Sequence, residues 1–208
     1  MKGQIVPIIL AAGGSTRADQ PKALYEFDGK RCIELAIGRS LQAGLKPIVV
    51  LGSDADSIIQ GSDLSSSTVL INYDLSTGQI SSLKLGLANL PRDSVAFLIY
   101  PVDFPLIREA DINLLVSAFR GKKGTQKIFL LSYRGRCGHP NLLDISIKDE
   151  LMELGDGEPA RRVIFARSER IVYVESDNPY ILMNMNTHRE YLSCLQIYRS
   201  DSWANNRI

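Results

Sequence analysis

The residues with chemical potential in this chain gather at a few places, and the first is Ile8-Ile9-Leu10-Ala11-Ala12-Gly13-Gly14-Ser15-Thr16-Arg17-Ala18-Asp19-Gln20-Pro21-Lys22-Ala23-Leu24. An apolar run suited to a buried strand stops at Ala11, Ala12, Gly13 and Gly14, and polar, basic and proline residues follow. Glycines let backbone N–H groups turn towards a ligand and approach it closely, a concavity that suits phosphate. Arg17 and Lys22 stand where two cations could close over the same anion. The same residues also read as a tight turn leaving a strand, with two solvated basic side chains. The spacing is neither G-x-x-x-x-G-K-[ST] nor G-x-G-x-x-G, which disfavours a Walker loop, a standard dinucleotide fingerprint and hence an NAD(P) oxidoreductase.

Further places carry candidates. In Asn72-Tyr73-Asp74-Leu75-Ser76-Thr77-Gly78-Gln79-Ile80-Ser81-Ser82, Gly78 permits close approach, while Gln79, Ser81 and Ser82 offer donors and acceptors to a base edge; Ser81 or Ser82 could equally cap the following helix. Asp103 closes an apolar strand between Pro101 and Pro105. A carboxylate so placed could hold Mg²⁺, which takes one or two carboxylates and fills its shell with phosphate oxygens and water, or it could cap a helix over 108–119. Gly138-His139-Pro140 reads as a Gly/Pro turn with a partly buried histidine, and Arg161 and Arg162 as solvated cations.

The elements that must position these groups alternate regularly. Residues 4–10, 47–51, 68–72, 95–100 and 127–131 are short buried strands rich in β-branched residues, and 171–175 is another. Between them Ile33/Ala36/Ile37/Leu41, Ile80/Leu83/Leu87/Leu90 and Ile112/Leu115/Val116/Phe119 recur at helical spacing. Strand–helix alternation predicts an α/β fold with a mostly parallel sheet and helices on both faces. Ligands in such sheets sit beyond the carboxyl ends of strands, here after Leu10, Asn72 and Tyr100. Residues 24–27 with Asp28-Gly29-Lys30 form a short strand and turn, and 52–67 a loop with one weak helical turn at 56–60. Pro159 suits the first turn of a helix to about residue 167, and Tyr191, Leu195 and Tyr198 line a closing helix. One domain over 1–199 with a frayed tail over 200–208 is expected.

At 208 residues the chain is long enough to bury a real core, and a 45% apolar fraction describes an ordinary globular protein. A net charge of +1 gives no electrostatic case for nucleic acid or a membrane surface. The apolar run 4–12 is too short to span a bilayer and lacks a leader cleavage pattern. Cys32, Cys137 and Cys194 are scattered without zinc spacing, which predicts a reduced, cytoplasmic protein; His139 and His188 alone cannot build a histidine-rich metal site.

The first stretch resembles the L-A-A-G-x-S-x-R-M-G-x-x-K-x-L signature of the Rossmann-like nucleotidyltransferases, in particular the molybdenum-cofactor cytidylyltransferase and guanylyltransferase group (MobA-like NTP transferases). Leu10, Ala11, Ala12, Gly13, Ser15, Arg17, Lys22 and Leu24 match it, and Ala18 and Asp19 depart. Gly78, Ser81, Ser82, Leu83, Gly86 and Leu87 resemble the group's G-x-S-S-L-x-x-G-L segment. Pro101-Val102-Asp103-Phe104-Pro105-Leu106 resembles its G-D-M-P-L metal motif, and Gly138-His139-Pro140-Asn141-Leu142-Leu143 its G-H-P-x-L-[LF] segment. Residues 151–162 resemble L-x-G-D-x-G-A-R, and Asn184-Met185-Asn186-Thr187 resembles N-x-N-T-P-E-E, with His188-Arg189-Glu190 in place of the last three residues.

The resemblance implies a single-domain, three-layer nucleotidyltransferase that moves a nucleotide onto a phosphorylated acceptor, most characteristically molybdopterin, and releases pyrophosphate. It implies Arg17, Lys22 and Asp103 as catalytic residues, and Asp103 with Asn186 as ligands of Mg²⁺, or of Mn²⁺ in its place. It implies a nucleotide site at Leu10, Ala11, Ala12, Gly13, Gly14, Ser15, Gly78, Gln79, Ser81, Ser82 and Pro101, and an acceptor site at Gly138, His139, Pro140 and Arg161. Ala12 in place of a glycine narrows the base slot and, with the Gly78–Leu87 segment, leans towards CTP over GTP, whereas the Asn184-Met185-Asn186 element looks like the guanylyltransferase version. A molybdoenzyme would be the downstream partner. The alternatives are another small phosphate acceptor, such as a sugar phosphate, or a nucleotide-binding regulator that keeps the fold without turnover.

Overall fold

The computed structural model describes residues 3–13, 20–74, 78–122 and 124–200. Strand β1 (Gln4–Ala11) alternates its side chains between two cores. Ile5, Ile9 and Ala11 enter one, and Val6, Ile8 and Leu10 the other, so the strand is apolar from Ile5 onward because both its faces are covered. A small hairpin, β2 (Glu26–Phe27) and β3 (Lys30–Arg31), turns through Asp28 and Gly29 at φ of 50° and 83°, the left-handed pair a tight hairpin needs. Helix α1 (Cys32–Gln42), β4 (Ile48–Leu51), α2 (Ala55–Gly61), β5 (Thr68–Ile71), α3 (Gln79–Ala88) and β6 (Ser94–Pro101) complete the first half. Then come α4 (Glu109–Arg120), β7 (Ile128–Tyr133), β8 (Arg136–Asp144), α5 (Lys148–Met152), α6 (Arg161–Ile164), β9 (Ile171–Glu175) and α7 (His188–Tyr198).

The seven-stranded sheet runs β5-β4-β1-β6-β8-β7-β9 and is parallel except for β8, which is antiparallel to both β6 and β7. The expected α/β, three-layer, mostly parallel architecture is therefore observed. Apolar positions of α1, α2, α4 and α7 fill one core, and those of α3, α5 and α6 the other. Gly86 sets how closely α3 lies on the sheet, because a Cβ there would meet Cγ2 of Ile8 at 2.5 Å.

Three sequence expectations are corrected, the first being the helix expected from Pro159 to about residue 167, which is a single turn over Arg161–Ile164 with Pro159 outside it. Residues 136–144 form a nine-residue strand, not a turn, although they contain Gly138 and Pro140. The strand tolerates the proline because its ladder is irregular there: Asn141 pairs with Leu130 and Ile99, and pairing with β7 resumes only at Cys137 opposite Ser132. The weak turn expected at 56–60 is a seven-residue helix, fixed by burial of Ala55 and Ile58.

The segment after β6 is pinned by a buried carboxylate. Asp111, with no exposed surface, accepts hydrogen bonds from the Arg108 backbone N–H at 2.8 Å, Ser176 Oγ at 2.6 Å and Asn178 Nδ2 at 2.8 Å. Asn178 also donates to the Leu106 carbonyl at 3.0 Å, so the loop after β6 and the exit from β9 become one unit. Replacing Asp111 with Ala would strand several buried polar groups at once, with an expected loss of about 3–5 kcal/mol. Thermal unfolding should show it as a fall in Tm of roughly 10 °C.

Candidate active site

Register brings the first and third predicted loops together. In the β1–β6 ladder Leu10 stands opposite Pro101, and the next backbone N–H, that of Val102, donates to the Leu10 carbonyl at 3.1 Å. Lys22 begins a single 3₁₀ turn (Lys22–Leu24) closed by the Leu24 N–H on the Pro21 carbonyl at 2.9 Å. Its ammonium donates to Asp103 Oδ2 at 3.0 Å and to Asn186 Oδ1 at 2.6 Å. Arg17, Gly14, Ser15 and Asp19 lie outside the described residues.

Asn186 is delivered by backbone. The Met185 N–H donates to the Asp103 carbonyl at 2.9 Å while the Met185 side chain is fully buried, so residues 184–186 lie along the Asp103 loop. Thr187 caps α7 by accepting the Glu190 N–H at 3.2 Å, and Glu190 accepts the backbone N–H groups of Asn186 at 2.8 Å and Thr187 at 2.9 Å. The Asn186 N–H foremost, with Thr187, holds the Glu190 carboxyl below the usual carboxylate range. Glu190 thus keeps a structural role where the rest of the resembled element has changed.

The second loop meets the first from the other side. Gly78, at φ 75°, is the N-cap of α3, so Ser81 and Ser82 lie inside the helix and do not cap it. Asn72 donates to Ser81 Oγ at 2.8 Å and Ser82 Oγ at 2.9 Å, and Ser81 Oγ lies 2.9 Å from the carbonyls of both Asp74 and Gly78. Ala12, Gly13, Gly78, Gln79 and Ser82, with Leu10 and Ser53, line a cavity of about 250 Å³; Ser81 does not line it. Next to it a niche of about 60 Å³ is bounded by Ala11, Gly13, Lys22, Asp54 and Asp103 among others.

A larger cleft of about 580 Å³ opens on the far side of Asp103, lined by Pro101, Phe104, Gly138, His139, Arg161, Phe165 and Asn184 among others. Leu10 and Gln79 line all three spaces, so they form one continuous depression. The His139 ring packs against Phe104 with centroids 4.7 Å apart. Burial pushes the imidazole below its ordinary value, against the opposing pull of Asp103 and a bond to the Ile99 backbone, so it is neutral near pH 7. Gly138 is required by packing, since a Cβ would meet the Ile181 carbonyl at 2.4 Å. Pro140 is buried off the cleft lining, whereas Arg161 is exposed at its rim and Arg162 pairs with Glu158.

Sequence reasoning missed Asn72 as organiser of the second loop and the exit of β4 as a wall. Gly52 was legible in principle, because β4 is a buried strand that ends at a glycine. A Cβ at Gly52 would meet the Ala12 carbonyl oxygen at 2.6 Å and its Cα at 2.9 Å.

Among the described residues no cluster of three or more His, Cys, Asp or Glu side chains could hold a metal ion. The oxygens of Asp103 and Asn186 nevertheless meet on one cation, the Lys22 ammonium. Two hard oxygens with room for phosphate and water are a donor set that fits Mg²⁺.

A doubly covered, mostly parallel sheet whose strand ends gather glycine-rich loops, a lysine and a carboxylate defines an α/β nucleotide-binding protein. The chain belongs to the family described as MobA-like NTP transferase domain, whose model matches residues 7–171. Nicotine blue oxidoreductase of Paenarthrobacter nicotinovorans is 27% identical over 81% of this chain and 84% of that relative. A nucleotidyl transferase from Methanothermobacter superposes with a TM-score of 0.78 at 23% identity, over 94% of this chain and 97% of that one. Rv0371c of Mycobacterium tuberculosis H37Rv in complex with manganese superposes with a TM-score of 0.75 at 21% identity, over 93% and 98%. No helix among the described residues is long and apolar enough to cross a membrane.

Because the clash is with backbone, Gly52→Ala must displace the first loop. The expected cost is about 1–3 kcal/mol, appearing chiefly as roughly tenfold weaker nucleoside triphosphate binding in calorimetric titration while the far-ultraviolet spectrum stays unchanged.

Proposed function

We propose that this protein is a Mg²⁺-dependent nucleotidyltransferase that moves CMP from CTP onto a small phosphorylated acceptor of the molybdopterin type. The observation that carries this reading is the position of Asp103. It borders both the niche holding Lys22 and the cleft of about 580 Å³, so it stands where a donor on one side and an acceptor on the other would meet.

In this reading the triphosphate lies along the first loop, under the backbone of Ala11 to Gly13, with Lys22 and Arg17 balancing its charge. The base enters the cavity bounded by Ala12, Gly78, Gln79 and Ser82. Ala12 sits against Gly52 and cannot retreat, which favours a pyrimidine over a purine. Asp103 and Asn186 would hold the divalent ion, whose chemistry is to neutralise charge on the phosphate oxygens that approach and leave. The manganese bound by Rv0371c supports divalent metal use in this fold.

The acceptor phosphate lies across Asp103, with Arg161 at the cleft rim and Phe104, His139 and Phe165 as aromatic lining for a ring. An oxygen of that phosphate attacks the α-phosphorus in line, the bond to the bridging oxygen breaks, and pyrophosphate leaves with the electron pair. A phosphate monoester is already largely ionised near neutral pH, so no general base is required. Neutral His139 therefore serves as a wall for the acceptor, not as a proton carrier.

A second reading draws support from the named relative. The same cleft would then take a flat substrate for an oxidation or reduction, as the name nicotine blue oxidoreductase gives for the Paenarthrobacter nicotinovorans relative.

One assay separates these readings: nucleoside triphosphates labelled at the α-phosphate, Mg²⁺ and purified molybdopterin, scored for pyrophosphate and for label retained in product. CTP should give both, and Asp103→Ala should lower turnover by roughly 10²–10³-fold while triphosphate affinity changes much less. Preference for GTP would overturn the base assignment. Tight CTP binding with no pyrophosphate would leave a regulator, and redox turnover of nicotine blue, measured separately, would establish the second reading.

A further inference from the structure

The Lys22 ammonium lies 3.0 Å from Asp103 Oδ2 and 2.6 Å from Asn186 Oδ1, the two oxygens to which the proposed function gives a divalent ion. The inference therefore rests on that metal role. Mg²⁺ binds oxygen at about 2.0–2.1 Å, so an ion reaching both atoms would stand beside the ammonium and be repelled by it. One of the two must move. Asp103 is fixed by its own carbonyl, which accepts from Met185, and Asn186 by its N–H on Glu190. The lysine head rides on a flexible four-carbon stem and can swing. It lines the niche shared with Ala11, Gly13 and Gln79, so the anion that would attract it lies on the side of the first loop.

We propose that Lys22 is a built-in counter-cation for Asp103 and Asn186, which the divalent ion must displace and which the incoming triphosphate draws away. Nucleotide thereby opens the metal site. A lysine that served only as a phosphate ligand would leave metal affinity untouched in nucleotide-free protein; a counter-cation opposes the metal until nucleotide arrives. Linkage then requires that the metal strengthen nucleotide binding by the same factor.

The test is Mn²⁺ titration of nucleotide-free protein, followed by the electron paramagnetic resonance signal of free Mn²⁺, for the native chain and for Lys22→Met, Lys22→Gln and Asp103→Asn. Lys22 is part-exposed, and two replacements of different polarity guard against one that misfolds. Both lysine variants should bind Mn²⁺ roughly fivefold or more tightly than the native protein, although they bind CTP more weakly. A non-hydrolysable CTP analogue should raise the Mn²⁺ affinity of the native protein by a similar factor and that of the variants by less. Equal or weaker Mn²⁺ binding by both lysine variants, with binding lost in Asp103→Asn, would overturn the exchange and leave the metal site standing. Absence of Mn²⁺ binding in every protein, with or without the analogue, would overturn the metal role and the exchange with it.

Discussion

Everything at the site depends on a carbonyl and a carboxylate of one residue. Asp103 takes a backbone hydrogen bond from Met185 through its main chain and the Lys22 ammonium through its side chain. These contacts join segments separated by 81 residues on one side, and Lys22 to Asn186 closes a further span of 164. The sheet makes this possible: β1 and β6 are neighbours in parallel register, so the loops after them leave in the same direction and at the same level. The Asp111 network then holds the return path from β9, so that residues 184–186 arrive beside Asp103.

Helix α7 completes this closure by packing. Tyr191 stacks on Tyr25 with centroids 4.2 Å apart, and its hydroxyl donates to the Glu26 carbonyl at 2.8 Å. Tyr198 meets Phe27 edge-on, and Arg199 pairs with Asp28 at 2.7 Å. The last helix is thus docked on the same small hairpin that follows Lys22 in the chain. Aromatic packing at this distance from the cleft holds the lysine turn and the asparagine segment in one frame, which a site made of two oxygens and an ammonium requires if its geometry is to be kept.

Most strands were legible because burial on both faces leaves an unbroken apolar run rich in β-branched residues, as in Ile48–Leu51. The first loop leaves a motif for a related reason, since a backbone suited to approach phosphate needs small residues at fixed offsets, and the described part of it, Ala11 to Gly13, does line the depression. Strand β8 was hidden because Gly138 and Pro140 imitate a turn, while the real cause of the glycine, the Ile181 carbonyl against its Cα, lies in a distant segment. The serines of the second loop misled for the opposite reason. Their type suits a helix cap, but Asn72, buried at the end of β5, engages both hydroxyls one turn deeper.

The two sides of the depression therefore differ in what specifies them. The donor side is made by parallel strands β1, β4 and β6 and by main-chain geometry, so its chemistry varies little without breaking the fold. Across Asp103 the wall comes from the antiparallel strand β8 and the short helix α6, whose contributions are side chains: His139, Arg161 and, beyond it, Phe165. Strand β8 lies inside the sheet between β6 and β7, but these side chains line the cleft, so under the proposed function the acceptor is the part of the reaction that a shared fold constrains least. A family that keeps one nucleotide cradle can in this way present it to different partners, and the identity of the partner must be sought in the chemistry of that second wall.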